Sequence, residues 1–328
     1  FPGPPPGEYR GYPRRGMRLF SWVVTPFVVK REYGHGAVCS KELQDFQRAV
    51  FRLPQAQERA VWAVHPDGAG HRLLQTFQIQ GAAVAEAVKG VDYIFHLAAL
   101  VSVPESMEKI VECNQINAVG TIVLLEEAAK AGVKKLILST SAANYGDNPV
   151  SPKVETMIPE PKSPYSITKL DGEYYCDMFT KTGRLQTACL RYFNVFGPRQ
   201  NPKSAYAAAV PIFITKALAN EDITIFGDGE QTRDFVFVKD IAAANAFMAE
   251  HDFTGVFNVA YGGKMTINHL AELIVEILGS KSKIVHLPER PGDVKHSTAC
   301  VDKLLATGFK PSWEFKRGLE VTVKSYAR

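Results

Sequence analysis

"VDYIFHLAAL" (Val91–Leu100) decides the fold. A short apolar run, bounded by Gly90 and by small residues after it, reads as a strand buried on both faces. The chain on either side repeats the pattern. "MEKIVECNQINAVGTIVLLEEAAKAG" (Met107–Gly132) places apolar residues at helical spacing and ends on a glycine, which predicts one long helix. "KKLILST" (Lys134–Thr140) is the next buried strand, Tyr165–Gly183 the next helix and Gln186–Val195 a further strand. Strands that alternate with helices pair in parallel through right-handed crossovers, so the fold is α/β with a doubly wound parallel sheet.

Beyond residue 195 the strands shorten to "ITIFG", "GVFNVA" and "KIVHLP", alternating with helices around Ala242–Ala249 and Asn268–Leu278. That irregular stretch reads as a smaller α/β carboxy-terminal lobe that carries substrate, some of its elements returning to the sheet. The expected division is therefore residues 1–80, 81–195 and 196–328. Ligands of such sheets lie beyond the carboxyl ends of the strands, where Ala98, Ala99, Ser139 to Ser141, Phe193 and Asn194 fall.

Bulk properties exclude several classes. At 328 residues, 46% hydrophobic and a net charge of +4, the chain can bury a large core and has no basic block of the kind that binds nucleic acid. No apolar run reaches the roughly 18 residues of a membrane span, and no secretory signal is evident. Five scattered cysteines (Cys39, Cys113, Cys176, Cys189, Cys300) without a CxxC pair argue for reduced thiols in the cytoplasm and against a zinc site or other metal.

Composition breaks near residue 80. Residues 1–80 hold nine Arg and two Lys, and the rest holds seven Arg and twenty Lys. The opening "FPGPPPGEYRGYPRRG" has no hydrophobic period, and Met17 is a candidate start. "MRLF" resembles a first strand, and "VVKREYGHGAV" the end of a helix and its turn.

The chemistry centres on "SPYSITKLDGEYY" (Ser163–Tyr175), in which Tyr165 and Lys169 share a helix face at i, i+4 spacing. A phenol with a pKa of about 10 is a poor base at neutral pH. A lysine one turn away and a positively charged nicotinamide ring would each favour the phenolate. Ser141, at a strand end, can orient the same substrate oxygen. The trio suits removal of a proton from a sugar hydroxyl while its carbon gives up hydride. Spacing alone does not distinguish this from a chance pair on a helix surface, nor Ser139–Ser141 from a hydroxyl-rich turn; the context favours chemistry.

From residue 81 onward, "FHLAALVSVPES", "NAVGT", "LSTSAANYGD", "PYSITK", "RYFNVFGPRQNP", "DGEQTRDFVFVKD" and "RPGDVKHS" occur in this order. The chain thereby resembles the extended short-chain dehydrogenase/reductases, specifically the UDP-glucose/UDP-N-acetylglucosamine 4-epimerases, with a Rossmann-like sheet. The resemblance implies that Ser141 orients substrate, Tyr165 is the base, and Lys169 lowers its pKa and holds the nicotinamide ribose of NAD. It implies that Leu97, Ala98 and Ala99 line the cofactor with Asn117 and Phe193 nearby. It implies that Asn194, Ile225, Phe226, Arg233, Arg290 and Asp293 hold the UDP part of a UDP-hexose. The arginines would be forked donors to its diphosphate. A homodimer built on the helices Met107–Gly132 and Tyr165–Gly183 is also implied, although their apolar faces could equally be core.

Related dehydratases carry an Asp-Glu pair after the catalytic hydroxyl, where this chain has Ala142 and Ala143, and related decarboxylases carry a glutamate in the same loop. Oxidation, rotation of the 4-keto sugar and return of the hydride remain. A small residue at Ser297, where UDP-glucose-restricted relatives carry tyrosine, implies room for an N-acetyl group. The expected glycine-rich pyrophosphate loop is not found in residues 1–80. Three readings of that region stand: a stretch read out of frame, an Arg-rich targeting extension, or a chain without an NAD site that binds nucleotide sugars without turning them over. A different NAD-dependent change to the nucleotide sugar also stays open.

Overall fold

The computed structural model describes residues 27–30, 81–200, 202, 208–289 and 295–327. Its main sheet has the strand order β1-β2-β3-β4-β9. Four of these, β2 (Val91–His96), β3 (Lys135–Ser141), β4 (Gln186–Tyr192) and β9 (Gly255–Val259), run parallel. The fifth, β1 (Phe27–Lys30), pairs with β2 antiparallel, so the sheet is mixed at that edge. Val28–Lys30 is thus strand rather than the helix end expected from "VVKREYGHGAV"; a β-branched pair suits an extended backbone. The remaining expectations for residues 1–80 lie outside the described residues.

Successive side chains of a strand point to opposite faces, and here the two faces have separate cores. Ile94, Leu136, Leu138 and Cys189 pack with Leu124, Leu125 and Phe179 on one side. Phe95, Ile137, Ala188 and Leu190 pack with Ile241, Ala244 and Met248 on the other. The first side is covered by α3 (Gly120–Lys130) and α4 (Pro164–Lys181), the second by α6 (Val238–Glu250). Both faces are closed, as parallel pairing requires.

The helix expected over Met107–Gly132 is broken. It divides into α1 (Val103–Glu108), α2 (Ile110–Asn114), a π-helical turn (Gln115–Val119) and α3. Lys109, at φ −120° and ψ 53°, leaves the helical region between α1 and α2, and the wider π turn directs Asn117 inward, where it is buried. The strand expected over Gln186–Val195 is divided too. At Phe193 the backbone leaves β9, its N–H bonding Val259 O, and Asn194 N then bonds Asp234 O as β5 (Asn194–Phe196) joins β8 (Phe235–Phe237).

The second lobe has its own core of Phe196, Phe213, Ile225, Phe235, Leu270, Phe315 and their neighbours. Around it stand α5 (Ala209–Leu218), α7 (Ile267–Leu278) and α9 (Phe315–Tyr326), with α8 (Asp302–Leu305) closing on the main sheet. β6 (Ile223–Phe226) pairs in parallel with β11 (Ile284–Leu287), and β7 (Thr232–Arg233) lies between β10 (Met265–Thr266) and β12 (His296–Ser297). Among the described residues, no helix is long and apolar enough to cross a membrane, and no cluster of His, Cys, Asp or Glu could hold a metal.

Candidate active site

Local sequence sets the helix that carries the tyrosine. Ser163 caps α4 by accepting from Ser166 N at 3.2 Å, Ser166 Oγ returns to Ser163 N at 3.0 Å, and Pro164 occupies the first turn. Tyr165 N donates to Ser106 Oγ at 3.2 Å, so α1 fixes the depth of that first turn. Further along, Gly172 lets the helix approach β3 closely. A Cβ there would lie 3.0 Å from Leu138 Cδ2.

Ser141 ends β3 and caps the 3-10 turn Ala142–Tyr145, its Oγ accepting from Ala143 N at 3.1 Å. Lys169 is buried and donates to Ser139 O at 2.9 Å. Among the described residues no carboxylate forms a salt bridge with it, and burial lowers its pKa to about 8. Its Nζ stands 6.0 Å from the centre of the Tyr165 ring. Ser141, Tyr165 and Lys169 therefore converge at the carboxyl edge of the sheet.

The electrostatics differ from the sequence expectation in one respect. Burial pushes the Tyr165 phenol above its ordinary value, and what opposes burial is a hydrogen bond from Ser141, not the charge of Lys169. One of the lysine's three N–H donors goes to a backbone carbonyl, and the ammonium lies over the ring rather than against the oxygen. The trio by itself makes a weak base, and a cation on its open side would complete it.

The loop after β2 holds Leu97, Ala98 and Ala99, each half-buried. Asn117 reaches that loop as a brace. Its Oδ1 accepts from Leu100 N at 2.7 Å, while its Nδ2 donates to Leu100 O at 3.1 Å and Thr168 Oγ1 at 3.1 Å. With both ends of its amide engaged, Asn117 holds the loop after β2 in place. His96, which sequence reading did not single out, ends β2 with Nε2 2.8 Å from Thr121 Oγ1. Burial, and then the charge of Lys169, lower its pKa to about 3, so it is neutral.

Across the site, Phe193 is buried and Asn194 donates from both its backbone N and its Nδ2 to Asp234 O. Arg233 and Ser297 are direct partners in the parallel register of β7 and β12. The sequence separated them by more than sixty residues, and the fold makes them neighbours. The side chain of Ile225 is 1% exposed within the lobe's core, where an apolar group belongs, which leaves only its main chain to meet a ligand. Phe226 beside it is half-buried. Arg290 and Asp293 lie outside the described residues.

Two buried carboxylates were missed. Asp234 accepts from Tyr261 N at 2.9 Å, Gly262 N at 3.1 Å and Ala299 N at 3.2 Å, drawing three segments of the lobe together. Glu173 on α4 meets Arg191 on β4. Each had a signal, an acid inside "TRDFVF" and an arginine inside the otherwise apolar "ACLRYF", since a buried charge must find partners.

The model of the NAD dependent epimerase/dehydratase family matches residues 49–260. The chain belongs to that family. The match starts ahead of the composition break near residue 80. Among curated members, the UDP-glucose 4-epimerase of Mycolicibacterium smegmatis is 35% identical over 242 residues, 72% of this chain and 76% of that one. A solved UDP-N-acetylglucosamine 4-epimerase from Methanobrevibacter ruminantium, in complex with UDP-N-acetylmuramic acid, is 45% identical. It covers 74% of this chain and 79% of that one, with a TM-score of 0.72. The UDP-glucose 4-epimerase of Thermotoga maritima, solved with UDP-glucose, is 35% identical with a TM-score of 0.72, over 83% of this chain and 87% of that one.

NAD is the cofactor of the family, and the described catalytic side fits its nicotinamide end. A phenol whose pKa burial has raised, which a nearby cationic ring would help to ionise, and small residues at Ala98 and Ala99 beside it fit that group. The segment expected to hold the pyrophosphate is among residues 1–80, outside the described ones except for β1.

Proposed function

We propose that this chain is a UDP-hexose 4-epimerase that accepts N-acetylated sugars (UDP-GlcNAc and UDP-GalNAc) together with UDP-Glc and UDP-Gal. Tyr165, as phenolate, removes the proton of the C4 hydroxyl, and Ser141 orients that oxygen. Lys169 supplies positive charge beside the phenol and a donor for the nicotinamide ribose. NAD, when bound, would supply the reversible hydride acceptor for C4. After the 4-keto sugar turns over, Tyr165 delivers its proton to the new hydroxyl, leaving no net redox change.

The observation that carries this reading is the convergence of Ser141, Tyr165 and Lys169 at one sheet edge without a spare acid beside Ser141. Ala142 and Ala143 follow it, and Glu173, the carboxylate bonded to this strand end, is taken up by Arg191. Elimination needs an additional acid and base, and epimerisation does not.

Asn194, Phe226 and Arg233 stand in the proposed UDP site, with Arg290 and Asp293 assigned by resemblance alone. Ser297 adjoins Arg233 in register, so a small side chain there supports space for the acetamido group. Comparing kcat/KM for UDP-GalNAc and UDP-Gal tests this substrate range. Turnover of both supports it, and failure to turn over UDP-GalNAc overturns it.

We further propose a cytoplasmic homodimer. Met107, Ile110 and Val111 on α1 and α2, with Ile167, Tyr174 and Met178 on α4, are exposed apolar residues on the two helical segments concerned. The rival reading, a nucleotide-sugar binder without turnover, is favoured by one observation. β1 runs antiparallel beside β2, where the usual strand order places a parallel strand leading into the pyrophosphate loop.

A further inference from the structure

Behind the catalytic trio lies a buried ion pair. Glu173 follows Lys169 by four residues on α4, so it lies one turn further along the same face. Arg191 on β4 grips it twice, Nε to Oε1 at 2.9 Å and Nη2 to Oε2 at 2.6 Å. Both residues are 3% exposed. Removing two such charges from water costs several kcal/mol per ion, and an apolar pair of similar volume often stabilises a fold as well. Stability alone therefore does not account for charge at this place.

The other bonds of Glu173 do. Its Oε1 also accepts from Thr140 Oγ1 at 2.7 Å and from Asn144 Nδ2 at 2.9 Å. Thr140 immediately precedes Ser141, and Asn144 lies in the turn that Ser141 caps. One carboxylate on the helix of Tyr165 thus binds the chain on both sides of Ser141. Only an ionised carboxylate can accept from all of these donors, and the planar guanidinium holds it in one orientation.

We propose that Glu173 is a positioning residue: oriented by Arg191, it fixes the Ser141 hydroxyl against the Tyr165 phenol. The kinetic consequences rest on the epimerase reading, and the geometric one does not. Ser141 is the group that opposes the effect of burial on the phenol, so its displacement must raise the midpoint at which Tyr165 ionises.

The test uses the full-length chain with NAD and two variants. Glu173→Gln removes the charge, and Thr140→Val removes one link while leaving the ion pair intact, which protects the fold. The Tyr165 midpoint is read by NMR of 13C-tyrosine, assigned with Tyr165→Phe, and needs no turnover. Glu173→Gln is expected to lower kcat about 10- to 100-fold, as small misplacements of reacting groups do, with KM within about twofold of wild type. Its Tyr165 midpoint and its pH profile for kcat should both move to higher pH. Thr140→Val should move them the same way, with kcat lower by about 3- to 10-fold, the worth of one hydrogen bond. Wild-type kcat and an unmoved midpoint in either folded variant would overturn the proposal. If Glu173→Gln does not fold, Thr140→Val decides. If the wild-type chain turns over nothing, the epimerase reading fails while the midpoints still decide the role of Glu173.

Discussion

The two sides of the site are each organised by a buried carboxylate, but with different partners. Glu173, on the catalytic side, faces a guanidinium, and its charge raises the pKa of Arg191 against the effect of burial. Asp234, on the side of the proposed nucleotide-sugar site, is fully buried and is met by backbone N–H groups of Tyr261, Gly262 and Ala299. Those donors do not offset its burial, and its pKa rises to about 6. The difference suggests a division of labour. A forked ion pair holds neighbouring groups in register, whereas a carboxylate ringed by amides gathers loops and titrates close to neutrality.

The largest expected effect would establish which side does chemistry. Tyr165→Phe removes the proposed base and should lower kcat about 10³-fold, within the usual range for acid–base groups, while leaving UDP binding by calorimetry near wild type. Equal losses in both measurements would erase the distinction between the sides. Next in size is Ser297→Tyr, which fills the space beside Arg233. It should cut kcat/KM for UDP-GalNAc by about 10²-fold and leave UDP-Gal within a few-fold.

Asp234→Asn sharpens the comparison from the lobe. Replacing an acceptor by an amide that also donates disturbs three loops, so KM for the sugar nucleotide should rise about tenfold with kcat little changed. This site also has a pH signature. Because the folded pKa is raised from 3.8 to about 6, its contribution to stability is fully present below pH 3.8 and is lost as pH rises through 6. The loss is on the order of 3 kcal/mol, and the Asn variant should lack that slope in melting temperature.

His96, on the catalytic side, should show the opposite slope. Its folded pKa is lowered from 6.5 to about 3, so the stability it contributes is present above pH 6.5 and is lost as pH falls through 3. His96→Gln should flatten the acid limb by a few degrees. Slopes of the same sign at both sites would break the contrast.

Much of this was legible in the sequence because local physics governs it. Buried strands read as apolar runs, α4 announced itself by Ser163 and Pro164, and Tyr165, Lys169 and Ser141 lay on elements of the right kind. What was not legible depends on long-range pairing. No periodicity shows that Lys109 interrupts a helix, that a π turn swings Asn117 inward, or that the strand through Phe193 changes partners. Ser297 meets Arg233 through strand register, and Ile225 lies in the core because of which face β6 turns inward. Glu173 and Asp234 were hidden for the same reason, since a charge in a motif reads as surface until the fold buries it.

The most direct test incubates the full-length chain with NAD and UDP-Gal in deuterated water and follows C4 by NMR. The chemistry assigned to Ser141, Tyr165 and Lys169 requires a mixture of both C4 epimers, no deuterium at C4 and no net reduction of NAD. An uninverted sugar, or deuterium incorporated at C4, would contradict it.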